Sequence, residues 1–237
     1  MKHRFVDIHH HLAYGVDDGP DSCKQMQKML KYAAEEDIGV IIATPHATPG
    51  VQRFLLDEYR QALADARAYC AGKGLEIEIK EGCEILYTDQ TPRLLREGQI
   101  LTLCETDFVL VEFSPDIKFT KLREALDRLL IEGYRPVVAH VERYACLTNH
   151  PSRAEKLRDE LDVRFQMNCS SVIKSKGLMM RHFVNQMLED RLIDALGTDA
   201  HNVSSRAANM KEAYKIIKKE YSARYAKLLT NGSIFEE

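Results

Sequence analysis

Histidine and carboxylate side chains, the usual protein ligands of divalent transition metals, occur in short clusters at four places in this chain. The first cluster is the run of three histidines at 9–11, which two aspartates follow at 17–18. The other clusters contain His46, the segment 140–143 and the segment 199–201. Each cluster lies at or just after an apolar run. If the fold brings the clusters together, their side chains can form a site for several metal ions.

Apolar runs rich in Val, Ile and Phe recur along the chain and predict strands that are buried on both faces. Patterns typical of helices lie between them. For example, Leu122, Leu126 and Leu129 have the spacing of a buried helix face, and Gly133 follows as a stop signal. The seven predicted strands are 5–8, 40–43, 75–79, 108–113, 136–139, 163–167 and 193–196.

This alternation of strands and helices predicts an α/β fold with a parallel sheet. An open, doubly wound sheet and a closed or nearly closed barrel both fit the pattern. The barrel is favoured because candidate site residues follow nearly every strand, and only a barrel brings all strand ends around one site. No repeat or linker interrupts the 237 residues, so we expect one domain over 1–237.

The composition is that of a globular protein without a nucleic-acid partner. The formal net charge of −3 argues against a nucleic-acid binder. No stretch approaches the roughly 18 consecutive apolar residues of a membrane helix, and no signal-peptide pattern is present. We therefore expect no membrane insertion. The six cysteines form no C-x-x-C pair, so we expect reduced thiols in a cytoplasmic protein.

Strand geometry predicts which of the clustered side chains can act together. Alternate residues of an extended chain point to the same side, so His9 and His11 can bind one ion while His10 points away. Asp199 and His201 have the same spacing. Five of the nine histidines follow predicted strands. The remaining candidate ligands at or near strand ends are Asp18, His46, Glu84, Glu112 and His140.

Burial supports a cation near two of these candidates. Glu84 stands between Cys83 and Ile85, and Glu112 stands between Val111 and Phe113. A carboxylate buried among apolar residues is costly unless an opposite charge accompanies it. Any single histidine or glutamate at a strand end usually has a structural role, so the prediction depends on the whole set.

These motifs, taken in order, resemble those of the polymerase and histidinol phosphatase (PHP) superfamily. Within it they are most similar to the bacterial metal-dependent protein-tyrosine phosphatases of capsule and exopolysaccharide loci. The resemblance covers nearly the whole chain. It is carried by Asp7-Ile8-His9-His10-His11 with Asp17-Asp18-Gly19, Pro45-His46, Gly82-Cys83-Glu84-Ile85, Val111-Glu112-Phe113-Ser114, Ala139-His140-Val141-Glu142-Arg143-Tyr144 and Thr198-Asp199-Ala200-His201-Asn202.

The resemblance implies a distorted seven-stranded (β/α) barrel that holds three divalent ions. Mn, Fe, Zn, Co and Mg all fit mixed imidazole and carboxylate ligands. We expect Asp7, Asp17 and Glu142 to support the site without binding metal. The implied ligand sets are His9, His11, Glu84 and Asp199 for one ion, Glu84 as a bridge with Glu112 and His140 for the second, and Asp18, His46 and His201 for the third.

The resemblance also implies a substrate and a mechanism. Three divalent ions outweigh the four ligand carboxylates in charge, which makes a positive site for a phosphate monoester. Arg143 and Arg206 match family positions that contact phosphate, and either could instead form an ordinary surface salt bridge. The hypothesis is that a metal-activated hydroxide hydrolyses phosphotyrosine on a protein, with the tyrosine-rich tail of a polysaccharide-chain-length kinase as the implied partner.

A covalent mechanism through cysteine is excluded by spacing. A cysteine-dependent phosphatase needs an arginine six residues after its cysteine, and no cysteine of this chain has one. Two other functions stay open. One is hydrolysis of histidinol phosphate or another small phosphomonoester, and the other is a regulatory barrel without activity. The sequence also departs from the family pattern, with His10 between the first ligands and no basic residue after His46 until Arg53.

Overall fold

Parallel strands alternate with helices in residues 4–175 and 177–235, which are the residues that this computed structural model describes. Every pairing between its strands is parallel. The predicted α/β class is therefore confirmed. The strands are β1 (Phe5–His10), β2 (Ile38–Ala43), β3 (His46–Ala47), β4 (Glu78–Glu81), β5 (Glu84–Leu86), β6 (Phe108–Glu112), β7 (Arg135–Val138), β8 (Arg164–Asn168) and β9 (Ala195–Gly197).

The helices that connect the strands follow the predicted apolar spacing. The helix that contains Leu122, Leu126 and Leu129 buries all three and ends before Gly133. The α-helices are α1 (Cys23–Glu35), α2 (Leu56–Lys73), α3 (Thr91–Arg96), α4 (Phe119–Ile131), α5 (Ala145–Thr148), α6 (Ser152–Leu161), α7 (Cys169–Ile173), α8 (Leu178–Glu189), α9 (Met210–Glu220) and α10 (Ala223–Leu228). In the part of the chain described, no helix is both long and apolar enough to cross a membrane.

The strands form two sheets that curl around a common centre. One sheet has the order β1-β2-β4, and the other has the order β3-β5-β6-β7-β8-β9. The first strand also meets the segment after the last one. The N–H of His11 donates to the carbonyl of Ala200 at 2.9 Å, and the N–H of Asp199 donates to the carbonyl of His9 at 2.8 Å. These bonds bring the carboxyl ends of β1 and β9 side by side.

The described residues contain nine strands where the sequence predicts seven, because a short additional strand follows β2 and another follows β4 after an interruption of two residues. The chain of β2 continues through Thr44 and Pro45 into β3, and the chain of β4 continues through Gly82 and Cys83 into β5. Proline has no N–H, so the ladder loses a bond at this point. The predicted strand 75–79 is also wrong in its first half, since β4 begins at Glu78.

The hydroxyl group of Tyr59 occupies the gap that this interruption leaves. It donates to the carbonyl of Ala43 at 2.8 Å and accepts from the N–H of Gly82 at 3.1 Å. Tyr59 lies on α2 and is completely buried. A buried backbone group without a partner is costly, so this side chain replaces bonds that the sheet does not supply.

Both faces of the curled sheet are packed with apolar side chains, as the uninterrupted apolar runs predict. A small cluster that includes Ile8, Ile42, Phe108 and Val137 fills one face. A much larger cluster lies between the other face and the helices. All six cysteines are free. The two layers hold the strands rigidly, so the ends of the strands can place side chains with precision.

Candidate metal centre

The nine predicted ligands converge at the carboxyl ends of the strands. Six are at most 4% exposed, namely His9, His11, Glu84, His140, Asp199 and His201. The other three are more open, with 18% of the side chain exposed at Glu112, 34% at His46 and 58% at Asp18. The cluster is therefore buried on one side and open to solvent on the other.

The first group is built around the two histidines at the end of β1. The Nε2 atoms of His9 and His11 lie 3.3 Å apart. Each lies 3.1 to 3.5 Å from Glu84 Oε2 and Asp199 Oδ1. These four side chains form one of the groups in the described residues whose donor atoms could share an ion. The grouping is the same as the predicted one.

The hydrogen bonds of the opposite ring nitrogens explain why these Nε2 atoms suit a cation. His9 Nδ1 lies 3.0 Å from Gln166 Oε1, and His11 Nδ1 lies 2.7 Å from Asp17 Oδ2. A neutral imidazole that donates from Nδ1 has an unshared electron pair at Nε2. Two such pairs facing two carboxylate oxygens repel one another unless a positive charge lies among them.

Glu84 is the centre of the whole cluster. Its Oε1 lies 2.7 Å from His140 Nε2, and its Oε2 lies 3.1 Å from His46 Nδ1 in addition to its contacts with the first group. The carboxylate thus contacts four imidazoles. Burial opposes ionisation of Glu84, but its interaction with His9 and its close contacts with the other rings lower its pKa well below the ordinary value. This is the position expected of a carboxylate that bridges two ions.

The second and third groups share His46. Its Nδ1 lies 3.3 Å from Glu112 Oε1, and its Nε2 lies 3.3 Å from Asp18 Oδ1. His201 Nε2 approaches the same Asp18 oxygen at 3.1 Å, and His140 Nε2 lies 3.6 Å from Glu112 Oε2. The grouping therefore differs from the predicted one in both sets. The second group contains His46 with Glu84 and Glu112 and leaves out His140, and the third contains His11 in addition to Asp18, His46 and His201.

Two buried atoms of the cluster fit a metal better than a hydrogen bond. Glu84 Oε2 and His201 Nε2 are inaccessible to solvent, yet neither makes a hydrogen bond of acceptable geometry within the described residues. Each is nevertheless close to other polar atoms, since Glu84 Oε2 lies 3.1 Å from His9 Nε2 and His201 Nε2 lies 3.1 Å from Asp18 Oδ1. Polar atoms that are close together without hydrogen bonds between them are typical of ligands directed at a common centre. The donor set, imidazole and carboxylate, suits divalent transition metals.

Two imidazoles of the cluster also bind protons tightly when they are not coordinated, whereas burial lowers the pKa of His201 to about 4. Burial disfavours the charged form of His46, but its contacts with the carboxylates of Glu112 and Glu84 outweigh it and raise the pKa of His46 to about 10. The same balance raises the pKa of His140 to about 9. Protons and metal ions therefore compete for these nitrogens.

Local backbone strain helps to aim two of the side chains. His140 has φ 33° and Asp199 has φ 53°, in the left-handed region that residues other than glycine rarely adopt. Each lies two residues beyond the end of a strand, His140 after β7 and Asp199 after β9. Strain of this kind is found where a functional geometry requires it, and the packing around the strand ends maintains it.

Arg143 and Arg206 lie over the same carboxylate. Arg143 pairs with Asp199 Oδ2, and Arg206 Nη2 lies 3.0 Å from Asp199 Oδ1. Arg206 Nη1 also lies 3.2 Å from Asp18 Oδ2. Each guanidinium is more than a third exposed. Both arginines are thus paired within the cluster, with one side open to solvent.

Two of the three carboxylates expected to support the site, Asp7 and Asp17, contact ligands or their backbone, and the third contacts the end of β8. Asp17 accepts from His11 and from the N–H of His46. Asp7 is completely buried and accepts from the N–H and hydroxyl of Thr198, and burial raises its pKa to about 6 despite these bonds. Glu142 holds the turn after β8 through the N–H of Asn168.

A cavity of about 660 Å³ opens from this cluster to solvent. Asp18, His46 and Glu112 line the cavity together with Arg53 and Phe54. Arg53 is thus placed beside the site, although it follows His46 by seven residues. The cavity is large enough for an aromatic phosphate monoester.

A model of the family described as "Capsular polysaccharide synthesis, CpsB/CapC" matches residues 5–233. The chain belongs to the CpsB/CapC family. The tyrosine-protein phosphatase CpsB of Streptococcus pneumoniae is 31% identical over 229 residues, which cover 94% of each protein. The tyrosine-protein phosphatase YwqE of Bacillus subtilis is 28% identical over 228 residues, which cover 96% of this chain and 89% of that protein. The predicted family is confirmed.

Solved structures agree with this membership. The chain matches a crystal structure from a study of YwqE and CpsB, described there as unique metal-dependent tyrosine phosphatases, with a TM-score of 0.86, 28% identity and coverage of 94% and 90%. Histidinol phosphate phosphatase from Lactococcus lactis, solved with zinc, L-histidinol and phosphate, gives a TM-score of 0.59 at 16% identity and 94% coverage of each chain. The second match shows a shared PHP-type fold.

Two polar residues that contact the candidate metal centre were not predicted from the sequence. Gln166 and Asn168 lie at the end of β8 and bond to candidate ligands. Their i, i+2 spacing is the same as that of His9 and His11, and this signal could have identified them.

His10 was predicted to point away from the site. It is 1% exposed, belongs to none of the three groups, and burial lowers its pKa to about 3.

Proposed function

We propose that this protein is a metal-dependent phosphatase that hydrolyses phosphotyrosine on other proteins. The observation that carries the proposal is the convergence of nine histidine and carboxylate side chains from separate strand ends beside two arginines. Membership of a family whose relatives are named tyrosine-protein phosphatases supports the same function. We propose further that the interrupted strands correspond to a distorted seven-stranded barrel in a single domain.

The ligand assignment keeps the sets predicted from the sequence, and the contacts of His140 with Glu84 at 2.7 Å and with Glu112 at 3.6 Å support its place in the second set. Glu84 would bridge the first two sites, and His46 would complete the third while it also lies 3.3 Å from Glu112. When bound, divalent ions such as Mn, Fe, Zn, Co or Mg supply the Lewis acidity that makes a hydroxide nucleophile available near neutral pH. We assign one site to His9, His11, Glu84 and Asp199, the second to Glu84, Glu112 and His140, and the third to Asp18, His46 and His201.

The two arginines would bind the phosphate. The guanidinium groups of Arg143 and Arg206 pair with different oxygens of Asp199, and both arginine side chains are partly exposed to solvent. A planar guanidinium can donate two hydrogen bonds to phosphate oxygens and stabilise the charge that develops on them. No cysteine is needed, and burial raises the pKa of the Cys83 thiol to about 12, which disfavours a thiolate.

The open cavity favours a substrate presented at a surface. Its lining includes Arg53 and Phe54, a guanidinium group and an aromatic ring that suit the phosphate and the ring of a phosphotyrosine. The tyrosine-rich tail of a polysaccharide-biosynthesis kinase in the cytoplasm is the partner that fits a capsule-synthesis family. Histidinol phosphate, the substrate class suggested by the more distant structural relative, is the second candidate.

A comparison of substrates tests the proposal. The manganese-loaded protein should hydrolyse a phosphotyrosyl peptide with a kcat/KM at least tenfold above that for L-histidinol phosphate. A phosphoseryl peptide of the same sequence is the control for peptide binding. Faster hydrolysis of histidinol phosphate would reject the assignment, and no turnover by a protein that retains its metal would favour a regulatory barrel.

A further inference from the structure

The strand β8 supplies none of the nine predicted ligands, yet its end contributes two buried amides to the site. Gln166 is 0% exposed and Asn168 is 2% exposed. Their spacing places both side chains on the same side of the strand. Gln166 Nε2 donates to Asn168 Oδ1 at 2.9 Å, so the two amides form a continuous hydrogen-bond series.

The groups at the two ends of this hydrogen-bond series determine the direction in which its donors point. The backbone N–H of His140 can only donate, and it lies 2.8 Å from Gln166 Oε1. The carboxylate of Asp199 can only accept, and its Oδ2 lies 2.9 Å from Asn168 Nδ2. Both amides are therefore oriented with oxygen toward His140 and nitrogen toward Asp199.

This direction determines the tautomer of His9. Gln166 Oε1, already an acceptor, also lies 3.0 Å from His9 Nδ1. His9 Nδ1 therefore carries a proton, and in the neutral ring this leaves the Nε2 that faces Glu84 unprotonated. A bond of this kind to the distal nitrogen of a metal-binding histidine fixes the ring and raises its basicity.

We propose that Gln166 and Asn168 act as a positioning relay that fixes the His9 tautomer and orients Asp199 for metal binding. The inference rests on the proposed metal centre. Gly197 gives independent support, because a Cβ there would lie 2.6 Å from His9 Cβ and 2.9 Å from Gln166 Nε2. The chain thus leaves room at residue 197 for the amide to lie against the ring.

The Gln166→Met variant tests the first link of the relay. Methionine has nearly the same length but cannot make either bond. We expect zinc affinity, measured by competition with a chromogenic chelator, to fall about 10- to 100-fold. In zinc-loaded protein with ¹⁵N-labelled histidine, the protected Nδ1–H signal of His9 should disappear. Gln61→Met, on the exposed surface of α2, is the matched control and should change neither property.

The Asn168→Ala variant tests the second link and separates positioning from general damage. It removes the donor to Asp199 and leaves Gln166 in contact with His9. We therefore expect weaker zinc binding with the His9 Nδ1–H signal retained. If Gln166→Met does not fold, the Asn168→Ala result alone decides, and unchanged zinc affinity in that variant overturns the relay.

The results distinguish this inference from the proposed function. Wild-type protein that binds no zinc contradicts the metal centre itself and the relay with it. Wild-type protein that binds zinc, together with a Gln166→Met variant of unchanged affinity and unchanged His9 signal, overturns only the relay. A lower melting temperature with unchanged zinc affinity would also overturn it, since both amides would then be merely structural.

Discussion

Glu84 shows how one buried carboxylate can organise a site. It lies within 3.2 Å of four imidazoles that come from three different strand ends. In an apolar interior an unpaired carboxylate would be strongly destabilising, and here the surrounding positive charge offsets that cost. The same reasoning applies to Asp199, which both arginines contact. Single substitutions at this centre can therefore be compared by two readouts. Loss of a ligand should lower the metal content, whereas loss of a residue that binds the substrate should lower only the turnover.

Arg206→Ala should lower turnover without changing the metal content. Only the side chain is lost, because the backbone bonds of Arg206 to the segment 201–202 remain. Loss of one group that stabilises charge in the transition state typically costs about 100-fold or more in kcat. The measurement is kcat on a phosphotyrosyl peptide together with elemental analysis. Arg60→Ala, which removes a surface pair with Glu81, is the control, and loss of metal would instead make Arg206 structural.

His140→Ala should remove at least one ion and nearly all activity. His140 is 2% exposed and its Nε2 lies 2.7 Å from Glu84, so no other side chain can easily take its place. The metal content of the purified variant, counted per chain, checks this expectation. His150→Ala changes an exposed histidine on a neighbouring turn and should leave the content unchanged. Full occupancy in the His140 variant would show that the ligand assignment is wrong.

The interruptions at 44–45 and 82–83 determine where two of the ligands lie in the sheet. The interruption after β2 and β4 moves His46 and Glu84 onto separate short strands, which pair with one another in register. The N–H of Glu84 donates to the carbonyl of Pro45 at 3.0 Å. Tyr59 then closes the gap from α2, so a helix outside the sheet determines how two ligand strands are held.

Tyr59→Phe should destabilise the protein by about 1–3 kcal/mol, since it leaves two buried backbone groups without a partner. The free energy of unfolding, measured by urea denaturation of the metal-loaded protein, checks this value. Tyr69→Phe on the same helix is the matched control because Tyr69 is half-buried against the core. A loss below about 0.5 kcal/mol, as for an ordinary surface change, would contradict the role assigned to Tyr59.

Sequence periodicity was enough to place most of these elements and ligands. The spacing of His9 and His11 predicts that they share a side, and the apolar neighbours of Glu84 predict a buried charge. Local patterns could not reveal the short strands β3 and β5, because segments of two and three residues are too short to show a strand period. They also could not reveal Gln166, since an amide becomes informative only when its partners are known.

The molecule as a whole couples proton binding to metal binding. The pKa values of about 10 for His46 and about 9 for His140 lie above the ordinary value for histidine. Without metal, these raised values stabilise the fold fully below about pH 6.5, and this contribution is lost as the pH rises through 9 to 10. With metal, the same imidazoles must give up their protons.

Binding of manganese at pH 7.5 should therefore release more than one proton per chain, and affinity should rise with pH up to about 9. Calorimetric titration in buffers of different ionisation enthalpy measures this release. His182→Gln, which changes a histidine that is exposed on α8, should release as many protons as the wild type. Binding without proton release would show that the imidazoles of the cluster are not the ligands.

The most direct test of the account is metal analysis combined with a phosphatase assay in the presence and absence of a chelator. We expect close to three divalent ions per chain, loss of phosphotyrosyl peptide hydrolysis when they are removed, and recovery when they are restored. A purified protein that carries no divalent ions, or one that hydrolyses the peptide equally well after complete removal of metal, would contradict the account.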